Sequence, residues 1–514
     1  MRPEDFNIPK EKLQFRANSG DQHDKKLDTK PVSYLKDAWY RFRKNKASIA
    51  ATVIIGLLIL FAIFVPIFSK YKVSYGTDSK YPDFNHILPK SKLFSSLNID
   101  FWDGCKKVDD LSSVLFNDYL AYEQETGHQV IKNGKYEIVE IKTVLYTKYK
   151  YKIRENSYFK EMAKKITLST AEYEALQKYQ DETNIQVILP YYFNNNDNQN
   201  PLRWYEVNDK NEPVKDINGN FVNKYTPYDG SDGYTSKMRL EGSDTYLYNY
   251  AKKNDGASYD VRVSYYDYYV YYHQAILKDG ITEPCFVFGT TGSGQDILTC
   301  LASGARFSFI LAIVVASVNL FVGAIIGAIE GYYGGKIDLI LERIIDILAS
   351  IPFMIVITLL KYHLDASHVI ILFISFFLTG WTGMAGRTRM QFYRFKNQEY
   401  VLVARTLGAS DGRIMFKHIF PNAIGTLITS CVLVIPSVIF SETSLSYLGI
   451  INLETGNLIS VGTLLAKGNS TELVSFPHVV LFPSLFISLL MLSFNLFGNG
   501  LRDAFNPSLR GTED

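Results

Sequence analysis

Few residues in this chain have the type and spacing that chemistry needs. The segment Gly289 to Asp296 comes nearest to a phosphate-cradling loop. Such a loop requires Lys and then Ser or Thr after its second glycine. Gln295 and Asp296 stand there instead, and no other segment has the pattern, so ATP hydrolysis by that route is not expected of this chain. The eight histidines are scattered, with His368 and His418 reading as interfacial or helix-end residues. Neither HExxH nor CxxC occurs, so no metal centre, no cofactor and no catalytic residue is expected. Cys105 and Cys285 are candidates for a disulfide or for two free thiols, and Cys431 reads as a small packing residue.

Ionisable groups in apolar stretches are costly and mark candidate sites. Asp338, Glu342 and Asp346 recur every four residues and so share a helix face, with Arg343 three residues before Asp346. That face either lines a pathway or forms a charge cluster at the membrane surface. Glu442 closes another apolar run. Gly323, Gly327 and Gly331 form a small-residue stripe that would let a second helix approach closely.

The stretch Glu399 to Asn422 is the most telling. Its first half is helical, with Gly408 as C-cap, and a second short helix is expected from Ser410 as N-cap. Pro421-Asn422 then opens the next apolar run. Such a knuckle projects a compact basic surface, suited either to another protein or to a tight turn without a partner.

The elements that must position these residues are membrane spans. The averages conceal them: 514 residues, net charge +2, mean hydropathy −0.03. A bilayer helix needs about 20 apolar residues. Ala47–Ser69, Phe307–Ile329, Ala366–Gly386, Ile419–Ser441 and Leu473–Leu501 carry no Asp, Glu, Lys or Arg. Ile347–Leu360, shorter and containing Pro352, reads as a sixth span. Arg41, Arg43, Lys44 and Lys46 place the first N-terminus in the cytoplasm. The basic loop Gly386–His418 then also falls inside, and residues 70–287 fall outside.

That outer stretch holds 28 of the 36 tyrosines and a net charge of −3, against +5 elsewhere. Tyr149, Tyr151 and Ile153 alternate with lysines as in a strand. Asn133-Gly134 and Asn218-Gly219 read as hairpin turns. Ser169 and Glu172 have capping-box spacing before a helix to about Gln180. Gln186–Tyr192 reads as a strand and Asn194–Asn200 as a surface loop. The class is α+β. The cluster Tyr265 to Tyr272 is either a ligand-stacking surface or, as favoured, a packed element.

At the knuckle the sequence resembles the permease of ABC-type importers of the oligopeptide/dipeptide/nickel group, and within it the C-type oligopeptide permease. The family loop is similar to EYVEAARxLGAS…RHILPN. Glu399, Tyr400, Val401, Ala404, Arg405, Leu407, Gly408, Ala409, Ser410, His418, Pro421 and Asn422 match it, while Leu402, Val403 and Phe420 depart. Further matches are Phe288 to Thr290, Gly294, Asp296, Gly304 to Arg306, Gly331 to Gly335, Arg343 with Asp346, Ser444 to Gly449, and Asn495 to Asp503. Thr291 and Gln295 depart from the family's outer motif. The resemblance covers residues 34–69 and 286–510.

It implies an α-helical polytopic membrane protein with six transmembrane helices in the type I ABC importer permease fold, carrying an inserted α+β extracellular domain. The implied divisions are a cytoplasmic segment 1–46 with an amphipathic helix, a first transmembrane helix 47–69, an extracellular insertion 70–287, a permease core 288–505 with a cytoplasmic coupling loop 387–420, and a cytoplasmic tail 506–514. A sister permease, two ATPase subunits that hold the ATP and Mg, an extracellular peptide-binding protein and the lipid bilayer are the implied partners. Nucleic acid is excluded by the near-neutral charge. Glu399, Ala404, Arg405, Leu407, Gly408, Ala409, Ser410, Arg413, Pro421 and Asn422 would couple to the ATPases. The competing readings are a dipeptide or nickel importer and, in another class, a membrane-anchored receptor or adhesin.

Overall fold

The computed structural model describes residues 34–505 except 76–80, 83, 93, 95–99, 143–146, 192–203, 210–211, 228–233, 236–247, 255–257, 456–457 and 469–473. The Asn-rich stretch 194–200, the first 33 residues and the tail 506–514 lie outside the described residues.

Helix α1 (Tyr34–Lys44) is amphipathic: Ala38 and Phe42 are buried with Ala504 near the chain's other end, while Trp39 and Tyr40 are exposed. Asn45 breaks it and starts α2 (Lys46–Phe68), its Oδ1 accepting from the backbone N–H of Ala47 and Ser48. The 23 residues of α2, charged only at Lys46, rise about 35 Å, enough for a hydrocarbon core of about 30 Å.

The insertion follows, built on two antiparallel sheets. The first comprises β1 (Cys105–Ser112), β2 (Ile131–Lys142) and β3 (Thr147–Asn156) in the order β1-β3-β2, with α3 (Ser113–Thr126) after β1. Asn133-Gly134 is not a hairpin turn. Both residues have positive φ inside β2, where the pairing slips from Ile131↔Glu155 to Tyr136↔Ile153, so they form a bulge. Asn218-Gly219 does close a tight turn under the Lys215↔Phe221 bridge.

The second sheet comprises β4 (Ala163–Ser169), β5 (Ile188–Leu189), β6 (Tyr234–Thr235), β7 (Ala251–Lys253) and β8 (Ser258–Ser264), in the order β4-β8-β7-β6 with β5 also on β8. The strand expected over 186–192 is thus two residues long. Helix α4 (Thr170–Thr183) carries the Ser169–Glu172 capping box. The tyrosine cluster forms α5 (Tyr265–Tyr271) and a π-helical turn (Tyr272–Leu277), and it packs: Tyr265, Tyr269 and Tyr271 are buried, with Tyr269 4.2 Å from Phe84 between ring centroids.

The membrane bundle then runs α6 (Ile297–Tyr333), α7 (Gly335–Ser350), α8 (Phe353–His363), α9 (His368–Thr379), α10 (Thr382–Phe395), α11 (Glu399–Thr406), α12 (Asp411–Tyr447), α13 (Val461–Lys467) and α14 (His478–Phe505). Helices α9 and α10 form one span, His368–Phe395. Among the described residues five helices are long and apolar enough to cross a membrane, six if α7 and α8 count as one. That pair is bent by 78° just before Phe353, because Pro352 has no N–H to donate and disfavours helix at Ile351. The central α6 has 37 residues, about 55 Å, so it overshoots the hydrocarbon core.

Candidate functional site

The knuckle is α11 and the start of α12. Helix α11 ends in a Schellman motif: Ala409 N–H donates to Ala404 O (3.1 Å) and Gly408 N–H to Arg405 O (3.0 Å), with Gly408 at φ +79°. Ser410 is extended at the N-cap position, but its hydroxyl makes no capping hydrogen bond. The expected short second helix is instead the first turns of α12, which continues unbroken into the span. A π-helical turn, Ile414–Ile419, directly precedes Phe420-Pro421. Proline clashes with the carbonyl four residues back, and the wider turn relieves that.

The two faces of the knuckle differ. Val401, Ile414, Met415 and Ile419 are buried with Ala328, Tyr332 and Phe392. Leu402, Val403 and Leu407 face outward, Leu407 being 83% exposed. Glu399, Arg405 and Arg413 are exposed around them. Tyr332 Oη donates to Asp411 Oδ1 (2.6 Å), and the Arg405 guanidinium lies 5.8 Å from the Tyr332 ring centroid. Asn422 Nδ2 donates to His418 O (2.8 Å) and to Tyr400 Oη (3.3 Å), closing the knuckle's base. Arrangements of this kind present an apolar tip on a rigid, backbone-capped support.

Next to the knuckle, α10 lies against α6 across the glycine stripe. A Cβ on Gly323 would lie 2.7 Å from Met384 Cβ, on Gly327 2.1 Å from Ala385 O, and on Gly331 2.5 Å from Phe392 Cβ. That contact brings Arg389 onto α7. Its Nε and Nη2 donate to the two oxygens of Asp338 (2.6 and 3.0 Å), and Tyr393 Oη donates to Asp338 as well (2.6 Å). Glu342 is 3.5 Å from the same guanidinium. Asp346 pairs with Arg343 at 3.1 Å on the surface. The three acids on one face are therefore split between a buried clamp and an exposed pair. Glu442 is buried on α12 and accepts from Ser308 Oγ (2.9 Å) and Ser446 Oγ (3.1 Å). Glu330, also buried, has neither carboxylate oxygen hydrogen-bonded among the described residues.

At the other end of the bundle the insertion is pinned down. Trp102 stacks at 5.7 Å on Phe482 of α14, and His86 at 4.0 Å on Phe476. Gln295 from the rejected phosphate loop serves as a tether: its Nε2 donates to Val73 O (2.8 Å) at the start of the insertion, while its Oε1 accepts from Lys467 Nζ (2.5 Å), which also donates to Glu454 Oε1 (2.6 Å). His273 sits between Asp279 (2.6 Å) and Tyr81 (2.9 Å), and Tyr75 also donates to Asp279. Cys105 and Cys285 are free thiols, not a disulfide. Each points to a different carbonyl, Asp103 O and Lys90 O, and burial pushes the Cys105 thiol up to about 12.

The Tyr332–Asp411 bond, the Arg389–Asp338 clamp and the His273 network were not among the sequence candidates. Each joins residues from different elements, and only the apolar setting of Asp338 gave a signal.

Two family models match the chain: "N-terminal TM domain of oligopeptide transport permease C" over residues 33–87, and "Binding-protein-dependent transport system inner membrane component" over residues 319–511. The oligopeptide transport system permease protein OppC of Bacillus subtilis (strain 168) is 41% identical over 223 residues, covering 43% of this chain and 72% of that protein. The dipeptide transport system permease protein DppC of the same organism is 38% identical over 223 residues, covering 43% and 69%. A chain of an inward-facing methionine ABC transporter aligns at a TM-score of 0.32 and 13% identity, covering 39% of this chain and 96% of that chain.

Proposed function

This chain belongs to the family of oligopeptide and dipeptide ABC-transporter permeases, and we propose that it forms one half of the membrane pathway of a peptide importer. In this reading a sister permease supplies the other half, and two ATPase subunits bind below. An extracellular binding protein delivers the peptide. The chain moves no proton or phosphoryl group itself. Its part is mechanical: ATP binding favours one arrangement of the ATPases, and the permease follows through differential contacts in its two states.

The observation that carries the reading is the exposed apolar tip of the knuckle. Leu407 stands out at 83% exposure beside Leu402 and Val403, on a helix end held by its own backbone. Apolar side chains grouped this way outside a span want a protein groove. Arg405 and Arg413 around the tip suit an acidic rim. The buried side of the knuckle packs on α6, so a push on the tip reaches the spans directly. Placing the knuckle in the cytoplasm follows the basic flanks of α2 and of the 386–418 loop. The insertion then lies outside, pinned over the outer ends of the bundle, where it is positioned to meet the binding protein.

The test is co-purification. The intact chain should bring down its ATPase subunits, and Leu407→Glu should lose them while still inserting in the membrane. Retention of the ATPases by Leu407→Glu would remove the knuckle from the coupling role.

A further inference from the structure

Three arginines line one cleft beside the knuckle. Arg387 and Arg394 lie two turns apart on α10, and Arg502 lies on α14. They rim a cleft of about 340 Å³ walled by Thr426 and Ser430 of α12. Among the described residues no carboxylate lines this cleft and none of the three arginines has an ion-pair partner. Arg389, in the same helix, is by contrast committed to Asp338. Gln391 also lines the cleft, but its unpaired Oε1 is an acceptor, so the donors to an anion come from the arginines. The charge and the donors fit a small oxyanion, and paired guanidiniums favour carboxylate or phosphate.

The surroundings of the cleft decide between these sources. Thr426, Ser430, Ser437, Ser441 and Ser444 fall on one face of α12 with Leu433 and the exposed Phe440 between them, and none of the five hydroxyl residues is buried. Other spans turn apolar side chains outward: Val53, Leu57, Leu60 and Phe64 on α2, and Leu481, Leu485, Leu489 and Leu492 on α14. Those faces are apolar throughout and suit hydrocarbon, whereas a face that carries five hydroxyls among two apolar side chains suits a partly wet path. The cleft and the hydroxyl row share Thr426 and Ser430, so the arginines stand at the knuckle-side end of that path.

We propose that this cleft receives the C-terminal carboxylate of the transported peptide at the inner mouth of the pathway. The proposal rests on the importer reading and adds a substrate group and its receptor to it. The arginines are solvent-exposed, so the interaction is weak enough to release cargo while still drawing the negative end of a peptide inward.

The assembled importer in proteoliposomes, with sister permease, ATPases and binding protein, tests it. Uptake of tetra-alanine as the free acid and as the C-terminal amide is measured for the wild type and for Arg387→Gln, Arg394→Gln and Arg502→Gln. Each variant is compared with the wild type on the same peptide, so any preference of the binding protein cancels. Loss of a charge-assisted contact predicts that free-acid uptake falls roughly tenfold while amide uptake changes less than about twofold. Equal losses for both peptides, or no loss for either, would overturn the assignment. A loss for both peptides that depends on the phosphatidylglycerol content of the vesicles overturns it in favour of a lipid headgroup. Wild-type vesicles that hydrolyse ATP but take up neither peptide overturn the importer reading itself, and the carboxylate site with it.

Discussion

Tyr332, in the last turn of α6, donates a 2.6 Å hydrogen bond to Asp411, the first residue of α12. The two residues lie 79 positions apart. The bond ties the end of the central span to the exit of the knuckle, so motion of the knuckle is shared by α6 and α12 together. The Tyr332 ring also belongs to the apolar cluster under the knuckle.

Tyr332→Phe keeps the ring and removes the hydroxyl. One hydrogen bond to a charged partner contributes about 1.5–3 kcal/mol. We expect the variant to fold and to bind its ATPases, but to spend more ATP per peptide taken up. The ratio of phosphate released to peptide accumulated in proteoliposomes is the readout. An unchanged ratio would show that the buried cluster alone transmits the motion.

Gly408 is constrained by its backbone and not by space. A Cβ there would meet no atom within 4 Å, but φ is +79°. Gly408→Ala should therefore cost about 1–2 kcal/mol locally, and Gly408→Asn less, because Asn tolerates the left-handed region. Gly408→Val should be the most harmful of the three. Peptide uptake should fall in the order Asn, Ala, Val, with membrane insertion unchanged. Equal uptake by all three would mean that the helix end is not held rigid in the working complex.

Much of this was readable in the sequence because it is local. Uncharged runs of spanning length, the glycine at a helix end and the Ser169–Glu172 box are each set by neighbouring residues. Asn133-Gly134 misled because a bulge and a hairpin turn both demand positive φ, so the dipeptide does not separate them. The continuity of α12 through Pro421 was hidden because a π-helical turn accommodates the proline. Arg389 gave no hint of its partner, since Asp338 lies 51 residues away and the close α6–α10 approach alone brings them together. The same approach leaves Arg387 and Arg394 on the opposite, open side.

The glycine stripe supplies a contrast between two substitutions in the same bundle. At Gly327 an added methyl would lie 2.1 Å from a backbone oxygen, so Gly327→Ala must push α10 away from α6. At Gly383, also helical, nothing lies within 4 Å. Gly327→Ala should destabilise by about 1–3 kcal/mol, and Gly383→Ala should stabilise by roughly 0.5–1 kcal/mol. Thermal denaturation of the purified chain in detergent should therefore shift in opposite directions. Like shifts would mean that the α6–α10 distance is not set at the stripe.

His273 makes the insertion sensitive to acid. Burial pulls its pKa below the ordinary histidine value, and the hydrogen bond to Asp279 only partly opposes this. The neutral ring fits the network: Nδ1–H donates to Asp279 while Nε2 accepts from Tyr81, which is in turn bonded to Tyr269 at 2.6 Å. In the unfolded chain the ring protonates near its usual value of about 6.5. Below that pH the unfolded state binds the extra proton and the folded state does not, so stability falls as pH drops. The loss ends once pH passes below the folded value. His273→Gln removes the titrating group, so its melting temperature should depend less on pH between about 7.5 and 5 than that of the wild type. Parallel pH profiles for the two proteins would show that folding does not shift the His273 pKa and that the ring carries none of the acid sensitivity.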